Sequence, residues 1–307
     1  RRLGGQGDTQ PNGRFGWAAA GTAICRKGQL PGVGRLDTER GIDMLVLIRG
    51  AGDIASGIAL RLWRSGIKVV MTDLERPTSI RRSVCFSETI RCGKTCVEGV
   101  MAQKAEDAEH AAALLKKGVL PVLVDPECCC REVLRPAALV DAILAKKNLG
   151  TTKEDAPVVI GVGPGFTAEE DCHAVVETMR GHYLGRVIYR GAAIPNTNIP
   201  GLIGGYAGER VLRAPADGTF SQVLEIGAQV KAGDIAGYVG NEAMRCTIDG
   251  VLRGILPDGT QVFRGMKSGD VDPRCAIDHC YCASDKALAV GGGVLEAILG
   301  LSKVLEE

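Results

Sequence analysis

Two glycine turns carry the residues of this chain best suited to chemistry. Gly50-Ala-Gly52-Asp53-Ile54-Ala55 follows an apolar run and precedes a helix-forming one, the relaxed form of a dinucleotide fingerprint with Ala at its third position. Glycines there permit a tight turn and let a phosphate approach the N–H groups at a helix N-terminus. Asp73 ends the next apolar run, about 20 residues on, where a carboxylate can bond a ribose hydroxyl. A plainer reading stands beside this one: Gly50 and Gly52 only turn the chain and Asp73 caps a loop. Asp53 counts against an anion unless its carboxylate points away. The second turn, Gly161-Val-Gly163-Pro-Gly165-Phe-Thr167, offers another row of N–H groups, reduced by Pro164, and could equally be a loop that needs glycine dihedrals.

Cysteine chemistry is the other candidate. Cys172, Val175, Val176 and Met179 fall at helical spacing, which makes Cys172 a buried, inert thiol. His173, Glu177 and Arg180 form a second stripe, closed by Arg180-Gly-His182. Cys128-Cys-Cys130 reads as a loop with spare thiols, because adjacent side chains cannot converge on one metal. Cys275, His279, Cys280 and Cys282 lack paired Cys-x-x-Cys spacing, so no metal is expected. The chain has no nucleophile elbow, zinc-protease helix or Walker loop.

The elements that must position these residues alternate. Strands at 44–49, 67–72 and 119–124 and helices at 53–65, 105–116 and 136–146 predict a parallel sheet. The scheme continues with strand 157–162, helix 167–180, started by a Thr167 and Glu170 capping box, and strand 185–190. Further on, Asp217-Gly218, Gly227, Val230 and Gly233 recur with identical spacing as Asp249-Gly250, Gly259, Val262 and Gly265. Two copies of one hairpin-like unit are implied. The spacing resembles the barrel of lipoyl and biotinyl carrier domains, but Gly240-Asn-Glu-Ala-Met-Arg245 puts no Lys on the intervening hairpin. Neither biotin nor lipoate is expected. An amphipathic helix at 284–304 closes the chain, with Gly291-Gly-Gly293 inside it; three interior glycines cost roughly 1 kcal/mol each, so the segment breaks there or packs on bare backbone.

The expected fold is α/β, a Rossmann-like parallel sheet with an inserted small β barrel of the barrel-sandwich hybrid type. Its divisions are a disordered or non-native leader at 1–43, the α/β domain at 44–208, the barrel at 209–272 and a helical segment at 273–307. With 45% hydrophobic residues and 37 Lys and Arg against 36 Asp and Glu, the chain suits a globular protein and lacks the basic excess of nucleic-acid or membrane-surface binders. Without a secretory pattern or membrane-spanning run it reads as cytoplasmic.

Several segments carry a family resemblance: Ile48-Arg-Gly-Ala-Gly-Asp-Ile-Ala-Ser-Gly57, Gly161-Val-Gly-Pro-Gly-Phe-Thr-Ala168, Glu177-Thr-Met-Arg-Gly-His-Tyr-Leu-Gly-Arg186, Pro195-Asn-Thr, Gly269-Asp-Val-Asp-Pro-Arg274 and Ser284-Asp-Lys-Ala287. From Met44 onward the chain resembles the YqeB family of selenium-dependent molybdenum hydroxylase system proteins and, more distantly, is similar to XdhC-type molybdenum cofactor chaperones. The leading 43 residues and Cys128 to Cys130 depart from the pattern. The resemblance implies a bacterial accessory protein that works with a xanthine or nicotinate dehydrogenase-type hydroxylase and its maturation proteins. Its ligand would be molybdenum cofactor or a nucleotide, held by Gly50, Gly52, Asp53, Ile54, Asp73, Gly163, Gly165 and Thr167. Arg180, His182 and Arg274 would supply charge, with Asp270 and Asp272 orienting the arginines or a cation. The alternatives are a nucleotide-dependent oxidoreductase or selenium-transfer enzyme, for which Asp73 or a reactive cysteine would matter, and a scaffold whose barrel docks a hydroxylase subunit. Truncation to begin at Met44 is expected to leave the melting temperature unchanged, which thermal denaturation of the two lengths would check.

Overall fold

The structure, a computed structural model, describes residues 44–302; the expected leader lies outside them. The first strand, β1 (Leu45–Arg49), is an apolar run buried on both faces, as the centre of a parallel sheet requires. It pairs in parallel with β2 (Lys68–Asp73) on one side and β6 (Ala138–Asp141) on the other. Beyond β2 come β5 (Leu120–Val124), β4 (Val100–Lys104) and β3 (Lys94–Val97); beyond β6 come β7 (Val158–Val162), β9 (Ala174–Val176) and β10 (Val187–Ile188). The pairs β3/β4 and β9/β10 are antiparallel and the other neighbours of this sheet are parallel.

Alternation of side chains assigns the two faces of the sheet. Val46, Ile48, Val69, Met71, Val140 and Ile160 join one core with α1 (Asp53–Arg64) and α5 (Asp285–Leu301), whereas Leu47, Val70, Leu139 and Val159 join another with α3 (Ala108–Lys116). Burying each such aliphatic side chain contributes about 1.5–3 kcal/mol. Two shorter helices, α2 (Glu88–Cys92) and α4 (Arg131–Leu134), fill connections.

Two expected helices are instead strand and loop. Residues 136–146 form β6 and the turn after it, because Ala138, Leu139, Val140 and Asp141 are buried between β1 and β7 on both faces. A short apolar run cannot distinguish a buried helix from a buried strand, and pairing decides it. Residues 167–180 likewise give the two-residue strand β8 (Thr167–Ala168), a tight loop and β9; β8 pairs antiparallel with β11 (Gly191–Ala192). Thr167, expected to cap a helix with Glu170, instead closes that loop with Asp171, which accepts from the Thr167 N–H at 2.7 Å and donates its own N–H to the Thr167 carbonyl at 2.9 Å. Val175 and Val176, both β-branched and fully buried, belong to the sheet. The helical stripe of His173, Glu177 and Arg180 therefore does not exist. Expected strand 185–190 shortens to β10.

Residues 211–272 form two four-stranded antiparallel sheets that share one hydrophobic core around Phe220, Val239, Leu252 and Val271. Strands β12 (Val211–Arg213), β19 (Lys267–Asp272), β17 (Gly250–Ile255) and β14 (Gln229–Val230) make one; β16 (Glu242–Arg245), β15 (Ile235–Val239), β13 (Gly218–Gln222) and β18 (Gln261–Val262) make the other. The sequence repeat is a structural one. Gly218 pairs with Val262 and Gly250 pairs with Val230, so the first strand of each copy pairs with the short strand of the other. Gly227 N–H donates to the Leu252 carbonyl and Gly259 N–H to that of Phe220, both at 2.8 Å. Asp249 accepts from the Ala232 N–H at 2.8 Å, and Asp217 accepts in the same way from Arg264. The two halves are related by exchange of partners.

Gly291-Gly-Gly293 does not break α5. Gly291 lies against α1, where an added Cβ would stand 2.8 Å from the Gly57 carbonyl oxygen; at Gly293 it would collide with the Gly185 carbonyl oxygen. Across the same contact, a Cβ on Gly57 would stand 2.5 Å from that of Ala287. Bare backbone lets the two helices and the 181–186 turn close on each other. Gly292 faces open space. Gly292→Ala is accordingly expected to raise stability by about 0.5–1 kcal/mol through helix propensity. Gly293→Ala, with the same propensity gain, is expected to lower it by about 1–3 kcal/mol through overpacking. Urea denaturation of the two variants tests the contrast.

Candidate functional site

Strand order sets where a ligand can enter. The chain runs from β1 outward to β2 and later returns to place β6 on the other side of β1, so the connections leave β1 and β6 in opposite directions. Crevices at such reversals, outside the carboxyl ends of parallel strands, are the usual ligand sites of open α/β sheets. A cleft of about 1130 Å³ lies at this edge, lined by residues 50–54 after β1, 73–74 and 78–81 after β2, 142–144 after β6 and 178–181 after β9. Residues 194–203 and the starts of β12, β19 and α5 complete its walls.

The first glycine turn opens on this cleft. Gly50 has φ +103° and a Cβ there would meet the Ala142 backbone at 3.0 Å, so the position needs glycine. Gly52 caps α1 without a side-chain bond, leaving the N–H groups of Gly52, Asp53 and Ile54 without partners among the described residues. Ala51 N–H is taken: it donates to Asp73 Oδ2 at 3.0 Å, while Leu74 N–H donates to Asp73 Oδ1 at 2.7 Å. Burial raises the Asp73 pKa against the pull of these two bonds. Asp53, the residue that would repel an anion, is turned onto Arg81, whose Nη1 donates to both its carboxylate oxygens at 3.0 Å. Arg81 is missing from the sequence reading, yet it also donates to the carbonyls of His279 at 2.9 Å and Cys282 at 3.0 Å. No spacing rule links Arg81 to Asp53; only the fold does.

Of the other expected site residues, Arg180 lines the cleft and makes a two-pronged pair with Asp285 at 2.7 and 2.9 Å. Gly163, Gly165 and Thr167 do not line it, and the second turn reaches the cleft through Pro164, which has no N–H to offer. Gly165 instead packs against the Lys147 backbone and Gly163 against the Thr178 side chain. His182 is exposed, edge-on to Tyr183. Arg274 is bonded to Asp272 at 2.7 and 2.9 Å, outside the cleft lining. Glu177, buried at 2% exposure, fixes two cleft walls by accepting from the N–H groups of Met179 at 2.6 Å and Ile194 at 2.8 Å.

Beneath the cleft lies a buried ionic network. Asp270 accepts from Arg210 and from Arg253 Nε at 2.8 Å, and Arg253 also reaches Asp272 at 3.0 Å. Burial disfavours the charged form of Asp272, but hydrogen bonds from Arg274 and the nearby Arg253 charge outweigh it and hold its pKa well below the usual carboxylate range. Taken together, the cleft lining holds eight Arg and Lys residues against three Asp, although the whole chain is nearly neutral.

Thiols contribute little here. Burial pushes Cys128 up to about 12 and Cys172 and Cys280 up to about 11, which disfavours the nucleophilic thiolate. Cys128 and Cys130 are buried while Cys129 is exposed, and among the described residues no three His, Cys, Asp or Glu side chains come together as a metal site. No helix among those residues is long and apolar enough to cross a membrane.

No protein-family model matches the chain. Its sequence is 50% identical over 257 residues to the uncharacterized protein YqeB of Escherichia coli strain K12, covering 84% of this chain and 48% of that protein. The chain thus spans about half the length of the curated relative it matches. A solved succinylglutamate desuccinylase/aspartoacylase from Rhodobacter sphaeroides aligns at 22% identity over 20% of this chain and 22% of its own, with a TM-score of 0.19; so slight a likeness carries no argument.

Asp270 and Asp285 give the ionic network a test. Asp270 is buried, so Asp270→Asn leaves Arg210 without a carboxylate and Arg253 with Asp272 alone, and is expected to cost about 3–5 kcal/mol. The Asp285 side chain is 71% exposed, and Asp285→Asn is expected to cost less than about 1 kcal/mol. Chemical denaturation of both variants measures the difference.

Proposed function

We propose that the chain is a YqeB-family protein with a Rossmann-like sheet, and that its cleft binds a phosphate-bearing ligand, molybdenum cofactor or a nucleotide, in the maturation of selenium-dependent molybdenum hydroxylases. The observation that carries the reading is the excess of basic residues around three unpartnered N–H groups at the N-terminus of α1, where the helix dipole also favours an anion. Gly50, Gly52 and Ile54 form the phosphate-facing turn, and the Asp53–Arg81 pair removes the repulsion that Asp53 would otherwise exert. Ile199 and Leu202, 72% and 71% exposed, stand in the cleft wall and suit the organic part of such a ligand.

The oxidoreductase alternative is weaker on this geometry. Asp73, the residue that would take a ribose hydroxyl, is committed to Ala51 and Leu74 N–H groups. The two sheets at 211–272 read as a barrel-sandwich hybrid that serves structure or docking. Their β15–β16 hairpin turns at Gly240-Asn241, and no Lys stands there to carry a prosthetic group.

Calorimetry with molybdenum cofactor, and separately with NAD, tests the reading. Binding is expected with one of them and should fall by at least about tenfold in Gly52→Asp, which places a carboxylate at the anion seat. Gly52 has an ordinary φ of −72°, and the Ser79 hydroxyl, 3.3 Å from an added Cβ, must turn aside by a few tenths of an ångström, so this variant is expected to keep its fold. Failure of both ligands to bind at micromolar concentrations overturns the proposal; NAD binding without molybdenum cofactor keeps the phosphate seat but replaces the cofactor-handling role with the oxidoreductase.

A further inference from the structure

The cations of the cleft are not equally satisfied. Arg81 is paired with Asp53, Arg180 with Asp285, and Arg210 and Arg253 with Asp270. Lys146 bonds Asn198 Oδ1 at 3.1 Å and Arg213 the Gly265 carbonyl at 2.8 Å. Lys267, at the start of β19, and Lys286, in the first turn of α5, have no hydrogen-bond or ion-pair partner for their ammonium groups among the described residues, and both line the cleft.

The charges around these amines only partly offset the cost of placing them. Lys267 is open to water at the cleft, yet enough protein surrounds its ammonium that desolvation lowers its pKa; the Asp270 carboxylate offsets part of this, and Arg210 and Arg253 add repulsion. Desolvation also lowers that of Lys286, helped by Arg180 and by Lys267 itself. Lys286 precedes Ala287, which packs on Gly57 of α1, Lys267 shares the cleft lining with Asp53, the first residue of α1, and both amines lie within electrostatic reach of that carboxylate. Asp53 is already engaged by Arg81 and is not a full counterion to either. Arg81 and Arg210 stand in the same lining, each more than nine-tenths buried and each with an Nε–H that has no partner among the described residues.

We infer that Lys267 and Lys286 form, with the N-terminus of α1, a seat for a doubly charged phosphate or diphosphate group. This rests on the cleft reading above and narrows it. Two ammonium groups and a helix N-terminus match the charge and the several acceptor oxygens of a phosphomonoester or diphosphate better than those of a single carboxylate. One lysine comes from the 211–272 sheets and the other from the C-terminal helix, so the bound anion joins both to the parallel sheet.

The full chain would be titrated with pyrophosphate by calorimetry, with acetate as the monoanion comparison and the melting temperature followed alongside. Pyrophosphate is expected to bind and raise the melting temperature, and acetate to do neither. Lys267→Met and Lys286→Met should each weaken pyrophosphate binding by at least about tenfold. Lys286→Arg should retain most of it, and Lys231→Met, which changes an exposed lysine outside the cleft, should leave it intact. Because neither amine has a partner to lose, the single variants should melt no lower than the parent without ligand; a lowered melting point would mark a structural role and overturn the assignment. Unchanged pyrophosphate affinity in both lysine variants, with loss in Gly52→Asp, would overturn the lysine seat while leaving the cleft reading in place. Binding of molybdenum cofactor or NAD without pyrophosphate would do the same. A parent protein that binds none of the three overturns both.

Discussion

The ion pair between Arg81 and Asp53 is the constraint on which the cleft depends. A carboxylate in the first turn of α1 is favourable for the helix and hostile to any anion approaching it. Arg81 resolves the conflict by holding both carboxylate oxygens, so the N–H groups beside Asp53 face the cleft with their positive character intact. The same guanidinium bonds two carbonyls in the segment leading to α5. Its neighbour Arg82 bonds the Ile255 carbonyl of β17 at 3.0 Å and Gln222 of β13 at 2.9 Å. The short stretch after β2 therefore ties the parallel sheet, the antiparallel sheets and the closing helix together at one end of the cleft.

Much of the frame is legible in the sequence because it rests on local signals. The apolar run at β1, the glycine turn and the amphipathic α1 occur where pattern places them, and the repeat marks two like units, whose exchange of partners between Gly218 and Val262 and between Gly250 and Val230 only the fold reveals. The glycine triplet of α5 was a conflict between propensity and pattern, and close packing against Gly57 and Gly185 explains it. The two lost helices have a different origin. At β6 and β9 the chain is buried on both faces, so strand alternation disappears and what remains imitates a helical stripe. Only pairing with β1 and β7, distant in sequence, separates the possibilities.

The site is less legible than the frame, for a reason that Lys267 and Lys286 make plain. Neither sits in a motif; one opens an ordinary antiparallel strand and the other the first turn of a helix. Composition misses them as well, since a near-zero net charge averages a basic cleft with an acidic remainder. Conversely, Gly163 and Gly165 belong to a persuasive motif but serve packing on Thr178 and Lys147. A glycine pattern records that the backbone must turn or approach something closely, and does not distinguish a ligand from the chain's own side chains.

Charge segregation of this kind also bears on how the fold is stabilised. Buried Asp270 and Asp272 neutralise the arginines beneath the cleft, so the fold does not need a ligand to compensate them. Lys267 and Lys286 have no ion pair among the described residues, and Asp270, Asp53 and Glu177 offset only part of the desolvation and of the repulsion from neighbouring cations. An anion that binds there removes repulsion as well as adding hydrogen bonds, so its binding strengthens the folded state by mass action. On the proposed reading, an anion in the basic cleft would tie β19 and α5 more firmly to the edge of the parallel sheet.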